Sequence, residues 1–165
     1  MLERIFYLAT FAAAVGSGLI AGVFFAFSSF VMPALARIPA ASGIAVMQSI
    51  NITVINFSFM LAFMGTGVLC LGLVAGSWIW WADWSGKLVL IASLIYLIAC
   101  FGSTMVFNVP LNDALAAVQP DSAEAAQLWQ RYLTEWTNWN HVRTVAPALS
   151  MILFTLALIF WRGGE

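Results

Sequence analysis

Charge is what this sequence has least of. Asp, Glu, Lys and Arg together make up 8% of its 165 residues, against 63% hydrophobic residues. A water-soluble fold must wet most of its surface, and so few charges cannot do that, so a soluble enzyme and a disordered chain are both excluded. The net charge is −1, which leaves no basic face for nucleic acid or for an anionic membrane surface. Histidine occurs once, at His141, so a site built from several histidines is excluded as well. Cysteine occurs twice, at Cys70 and Cys100, with no CxxC pair and no metal-ligand spacing. Both cysteines lie in apolar runs at depths offset by about one helical turn, which disfavours a disulfide. No metal centre is expected.

Long apolar runs are abundant. A bilayer core needs about 20 apolar residues per helix. Four runs qualify, at about 5–32, 54–78, 88–107 and 144–161. The first is expected to end at Pro33 and the third before Pro110. The first is too long for a signal peptide and lacks a polar cleavage region, so it reads as a retained span. None alternates at period two, as barrel strands would. The expected fold is all-α: one transmembrane domain, residues 1–165, forming a polytopic four-helix bundle. The small pairs Gly18/Gly22 and Gly72/Gly76 fit close helix packing. Residues 42–50 read as a short interfacial helix. Residues 122–139 read as an amphipathic interfacial helix, with a capping-box-like start at Asp121 and Glu124. Trp129, Tyr132 and Trp136 share its apolar face, and Arg131 and Glu135 form an i,i+4 pair on its wet face.

An even number of spans puts both termini on one side. Arg4, Lys87 and Arg162 fall there; Arg37, Arg131 and Arg143 fall on the far side. If Arg37 and Arg143 belong to a site, the termini side leads three to one. The positive-inside rule then makes both termini cytoplasmic, in a bacterial cytoplasmic membrane. Trp78, Trp80, Trp81, Trp84 and Trp161 form an aromatic belt on that side.

Polar side chains gather at the far side: Ser28, Asn51, Asn108, Asn112, Asn140, His141 and Arg143. Such groups near hydrocarbon are costly without partners, so their clustering marks a site. The expected pocket is lined by His141, Arg143, Asn108, Asn51 and Asn112 and walled by Phe27, Phe30, Trp136 and Trp139. Apolar aromatic walls with a few convergent polar groups suit a flat, hydrophobic, oxygenated molecule. His141 is the side chain that exchanges a proton near neutral pH. Arg143, near the expected start of the fourth span, opposes the helix dipole and needs another partner. The plainer readings are headgroup contact for His141, snorkelling for Arg143 and helix termination at Pro110.

Three stretches carry a family resemblance. They are Gly22-Val23-Phe24-Phe25-Ala26-Phe27-Ser28-Ser29-Phe30-Val31-Met32-Pro33-Ala34-Leu35, Asn108-Val109-Pro110-Leu111-Asn112, and Trp136-Thr137-Asn138-Trp139-Asn140-His141-Val142-Arg143-Thr144. Together they resemble the anthrone oxygenase family of small four-span membrane proteins. The resemblance implies oxidation of an anthrone to an anthraquinone by O₂, with no cofactor, neither metal nor flavin. An anthrone carries an acidic CH₂ opposite its ketone, and its enolate reacts with O₂ directly. His141 is then the base, with Arg143 and Asn108 as donors to the enolate oxygen. Asn51 and Asn112 extend the polar wall, and Trp136 and Trp139 cover the rings. Three alternatives stay open: a non-catalytic binding or transport accessory for a quinone-like molecule, a haem protein using His141 as axial ligand, and a structural subunit. The expected partners are an apolar small molecule and the lipid bilayer; self-association into a homo-oligomer stays open.

Overall fold

The computed structural model describes residues 1–161. Five helices run through them: α1 Leu2–Leu35, α2 Ala40–Thr53, α3 Phe57–Gly76, α4 Trp84–Ala116 and α5 Ala123–Ile159. All but α2 are long and apolar enough to cross a membrane. The chain is an all-helical, multi-pass membrane protein. Helix α1 packs between α3 and α5, and α4 packs between the same two on the opposite side. This is an up-and-down four-helix bundle. The two ends of the described residues meet, where Trp161 Nε1 donates to Glu3 Oε1 at 3.1 Å.

Helix lengths explain the two cores. At 1.5 Å per residue, α3 is about 30 Å long, the thickness of a bilayer core, while α1, α4 and α5 run to about 50 Å or more. The first core lies among all four long helices and contains Phe6, Phe24, Phe63, Tyr96 and Phe154. The second contains Met32, Ile44, Met47, Leu115, Trp129, Tyr132 and Trp136. There α2 fills the position that the shorter α3 leaves open. The elbow between α2 and α3 is set by Asn56, which is extended and caps α3: its Oδ1 accepts from the Phe59 N–H at 3.0 Å.

Several expectations change. Pro33 and Pro110 do not end their helices. Each lacks an N–H and would crowd the carbonyl four residues back. The chain accommodates both with π-helical turns just upstream, Phe27–Val31 and Thr104–Asn108, in which the N–H bonds the fifth carbonyl back. Residues 122–139 are not a separate interfacial helix; they are the first half of α5. One buried stripe runs the length of that helix at spacings of three and four, through Trp129, Tyr132, Trp136, Asn140, Arg143, Pro147, Ser150 and Phe154. Because the stripe has no phase break, the helix has none. Its N-cap is Ser122, whose Oγ accepts from the Ala125 N–H, rather than Asp121.

Buried polar side chains tie the helices together. Tyr96 OH donates to Phe63 O at 3.0 Å and Ser150 Oγ to Ala92 O at 2.9 Å. Such bonds matter where no water competes for the donor. Both cysteines are free and buried. Of the expected glycine contacts, Gly18 meets Met151 and Gly76 meets Phe6, while Gly22 and Gly72 face open space. The tightest approach between α1 and α3 is instead at Gly16, where an added Cβ would collide with the Thr66 hydroxyl. Gly16→Val is therefore expected to cost about 1–3 kcal/mol of overpacking, measured by unfolding in mixed detergent micelles.

Candidate functional site

The cavity opens where the two cores meet, and every helix contributes to its wall. It encloses about 190 Å³. Phe24 and Phe27 come from α1, Met47 and Asn51 from α2, Phe59 and Phe63 from α3, Thr104 and Asn112 from α4, and Trp136 and Arg143 from α5. Phe59 and Phe63 stack, and Phe24 meets both edge-on. Val54 and Ile55 of the α2–α3 elbow also line it, and Ile55 is 72% exposed.

Arg143 is the charged group on this wall, and it is only 4% exposed. Its guanidinium lies between two rings, with Cζ at 4.4 Å from the Phe24 centroid and 4.7 Å from that of Trp136. Nη2 donates to Asn140 Oδ1 at 2.9 Å. Nε is buried without a partner. Asn140 is held in turn: its Nδ2 donates to Phe24 O and to Ser28 Oγ, both at 2.8 Å. Among the described residues no carboxylate pairs with Arg143; the ion pair on this helix is Arg131 with Glu135, on its exposed surface. Two ring faces contribute about 2 kcal/mol or more each when desolvated. Burying an ion costs several kcal/mol, and a good pair is what ordinarily offsets it. The site thus lacks an anion.

Further unsatisfied atoms surround the cavity. Asn51 Nδ2 and Asn108 Oδ1 are buried without hydrogen bonds. Asn112 Oδ1 accepts from Tyr132 OH at 2.7 Å and from Trp136 Nε1 at 2.8 Å.

Of the residues expected from sequence, Arg143, Asn51, Asn112, Phe27 and Trp136 stand on the cavity wall. Asn108 is fully buried beside it, with Nδ2 donating to Trp136 O at 3.1 Å. His141 and Trp139 do not line the cavity. They flank Asn140 in sequence, so each is rotated about 100° off the buried stripe. His141 is exposed; its Nδ1 lies 3.0 Å from Ser28 Oγ, and it borders an outer apolar groove with Ile95 and Val145. Trp139 stacks on Phe107 at 3.5 Å. Phe30 is 62% exposed, because the π-helical turn holds more residues per turn and rotates it off the Phe27 face. Arg143 sits deep inside α5 rather than near its start, so the helix dipole does not bear on it. Sequence reasoning placed Asn140 in the polar cluster without giving it a role at the pocket, and it did not select Phe63. The signal for Asn140 was the stripe of α5, on which it falls between Trp136 and Arg143.

A family model described as anthrone oxygenase matches residues 57–153. The chain belongs to the anthrone oxygenase family. The matched segment takes in α3, α4 and most of α5, and with them Asn112, Trp136 and Arg143. No curated protein and no solved structure matches the chain.

Asn140 is the sole hydrogen-bonding partner of Arg143 among the described residues, and it joins α5 to α1. Asn140→Leu strands the guanidinium and the bonds to α1 together. The expected loss is about 2–3 kcal/mol, read by unfolding in mixed micelles.

Proposed function

We propose that the cavity binds a flat, hydrophobic, oxygenated aromatic molecule as its oxyanion, and that the bound enolate is oxidised by O₂. The observation that carries this reading is Arg143: a buried cation without a carboxylate, on the wall of an aromatic cavity. An anionic oxygen against the guanidinium fills the vacant role of counter-ion. The same contact favours the enolate over the neutral ketone, because a preorganised donor in a dry site stabilises charge where it develops.

The chemistry balances without a further reagent. Loss of a proton from the CH₂ gives the enolate. Its ring carbon bonds to O₂, giving a peroxide that takes up a proton. The carbon then loses its second hydrogen as the O–O bond breaks, leaving a new carbonyl and releasing water. The net reaction consumes one O₂ and yields a quinone and one water. Among the described residues the cavity wall holds no side chain that exchanges protons near neutral pH. Arg143 therefore acts by making the ligand itself more acidic. His141 reaches it only through Ser28 and Asn140, as an orienting group.

With Arg143 assigned to the site, the termini side leads in cations by three to two, and we place both termini in the cytoplasm.

The test uses purified protein in lipid nanodiscs with anthrone as probe, following quinone absorbance above the uncatalysed background. Arg143→Met is expected to lower kcat/KM by about 10²–10³. It should leave folding intact, since removing an unpaired buried charge relieves desolvation. Arg143→Lys is expected to fall between the two, a point charge replacing a planar fork. His141→Ala is expected to lose less than about tenfold, well below the usual worth of a positioned base. Unchanged turnover in Arg143→Met overturns the reading. Binding without turnover in the wild type moves the protein to ligand carriage.

A further inference from the structure

The cavity has a second polar group whose orientation can be deduced. An amide side chain can face either way, and its oxygen and nitrogen are distinguished by their neighbours. Asn112 has an unambiguous neighbour. Trp136 Nε1 lies 2.8 Å from it, and an indole N–H can only donate. The atom it meets is therefore the oxygen. Tyr132 OH, at 2.7 Å from the same oxygen, must donate as well. Two donors fill Oδ1, and turning the amide over would set its N–H against the indole N–H, which cannot accept. The amide is locked.

Its other end is free. Asn112 Nδ2 makes no hydrogen bond among the described residues, and Asn112 stands on the cavity wall. The residues that lock it are themselves held. Trp129, Tyr132 and Trp136 stack in series along α5, with centroids 5.6 Å apart at each step. Tyr132 is fully buried. Trp136 also connects two polar groups of the cavity: its nitrogen meets Asn112, and its face meets Arg143. The guanidinium and the Asn112 amide thus lie around one indole ring, both offering N–H.

We infer that Asn112 is a specificity-determining residue that donates to a second oxygen of the ligand, so that the site takes a flat ring system with one acceptor oxygen at Arg143 and another at Asn112. This rests on the ligand site proposed above. Tyr132 and Trp136 are positioning residues that keep the amide from turning. A ligand presenting N–H at the second position meets donor against donor, and an unmade buried hydrogen bond of this kind is worth about tenfold or more in affinity.

Two probes of matching shape isolate the contact. 9,10-Anthraquinone carries carbonyl oxygens on both edges of its central ring. Acridone carries one carbonyl and, opposite it, an N–H. Affinities are measured by fluorescence titration of the full-length protein in nanodiscs. The wild type is expected to prefer anthraquinone by about tenfold or more. Asn112→Ala should erase the preference. Asn112→Asp keeps an acceptor for Trp136 and Tyr132, so it preserves their packing, and it turns the free donor into an acceptor. That variant should prefer acridone. Arg143→Met should weaken anthraquinone, and because acridone can then turn its carbonyl to Asn112, the ratio should fall toward one. A wild type that binds neither probe or does not discriminate overturns the inference, as does a preference that survives in Asn112→Ala and Asn112→Asp. Unchanged affinities for both probes in Arg143→Met overturn the counter-ion reading, while the ratio in the Asn112 variants still decides the role of the amide.

Discussion

Arg143 holds a guanidinium away from water with no carboxylate beside it among the described residues. Arg143 touches Phe24 and Trp136 with its faces and Asn140 with one edge, and those three contacts reach α1 and both cores. An ordinary buried ion pair would close this arrangement from within. On the reading proposed above, the closing charge comes from a bound ligand, and the cavity is the place it can occupy. Stability and ligand affinity are therefore opposed at this residue. An apolar substitute would suit the empty protein better, and the arginine suits a protein that is completed by an anion.

Backbone irregularity makes room for that arrangement. Pro33 and Pro110 follow π-helical turns in α1 and α4, and Pro147 sits inside α5, four residues beyond Arg143. Pro147 has no N–H to give the Arg143 carbonyl, so the main chain at the arginine is also short of a donor. The remaining long helix, α3, is interrupted outright at its junction with α2. Regular α-helices pack side chains to near-crystalline density. Helices that each depart from regularity near one level leave a gap there, and this gap is lined by five of them.

The fold was largely legible because composition and run length dictate it. So few charges and four apolar runs leave a helical bundle as the workable arrangement in lipid. Boundaries were less legible. Hydropathy divides α5 at residues 139 to 144, where Asn138, Asn140, His141 and Arg143 lower it, yet those residues do not alter the helical phase. The stripe from Trp129 to Phe154 was the better guide. At the site, depth along the bundle could be read from sequence and direction around each helix could not. Depth brought Asn51, Asn112, Trp136 and Arg143 to one level, and the cavity uses all four. Direction separated Arg143 from His141, two residues along the helix and about 200° around it. In α1 the π-helical turn, invisible to a count of 3.6 residues per turn, took Phe30 off the wall while Phe27 stayed on it.

The unequal helix lengths give the site its last property. Because α3 is about a bilayer core in length and its neighbours are longer, the elbow before it falls near the border between hydrocarbon and the more polar zone beyond. The cavity lies at the level of that elbow, where Phe24 and Phe63 of the first core and Met47 and Trp136 of the second share its wall. A molecule with an apolar ring system and a few oxygens meets its preferred surroundings at this same level, since Trp and Tyr side chains of like character concentrate there. The exposed Ile55 on the cavity wall adds no charge there. A fully buried site would have to strip the ligand of both environments. One at the border needs to remove only the last waters from its oxygens, which on the proposed reading Arg143 and the Asn112 amide replace.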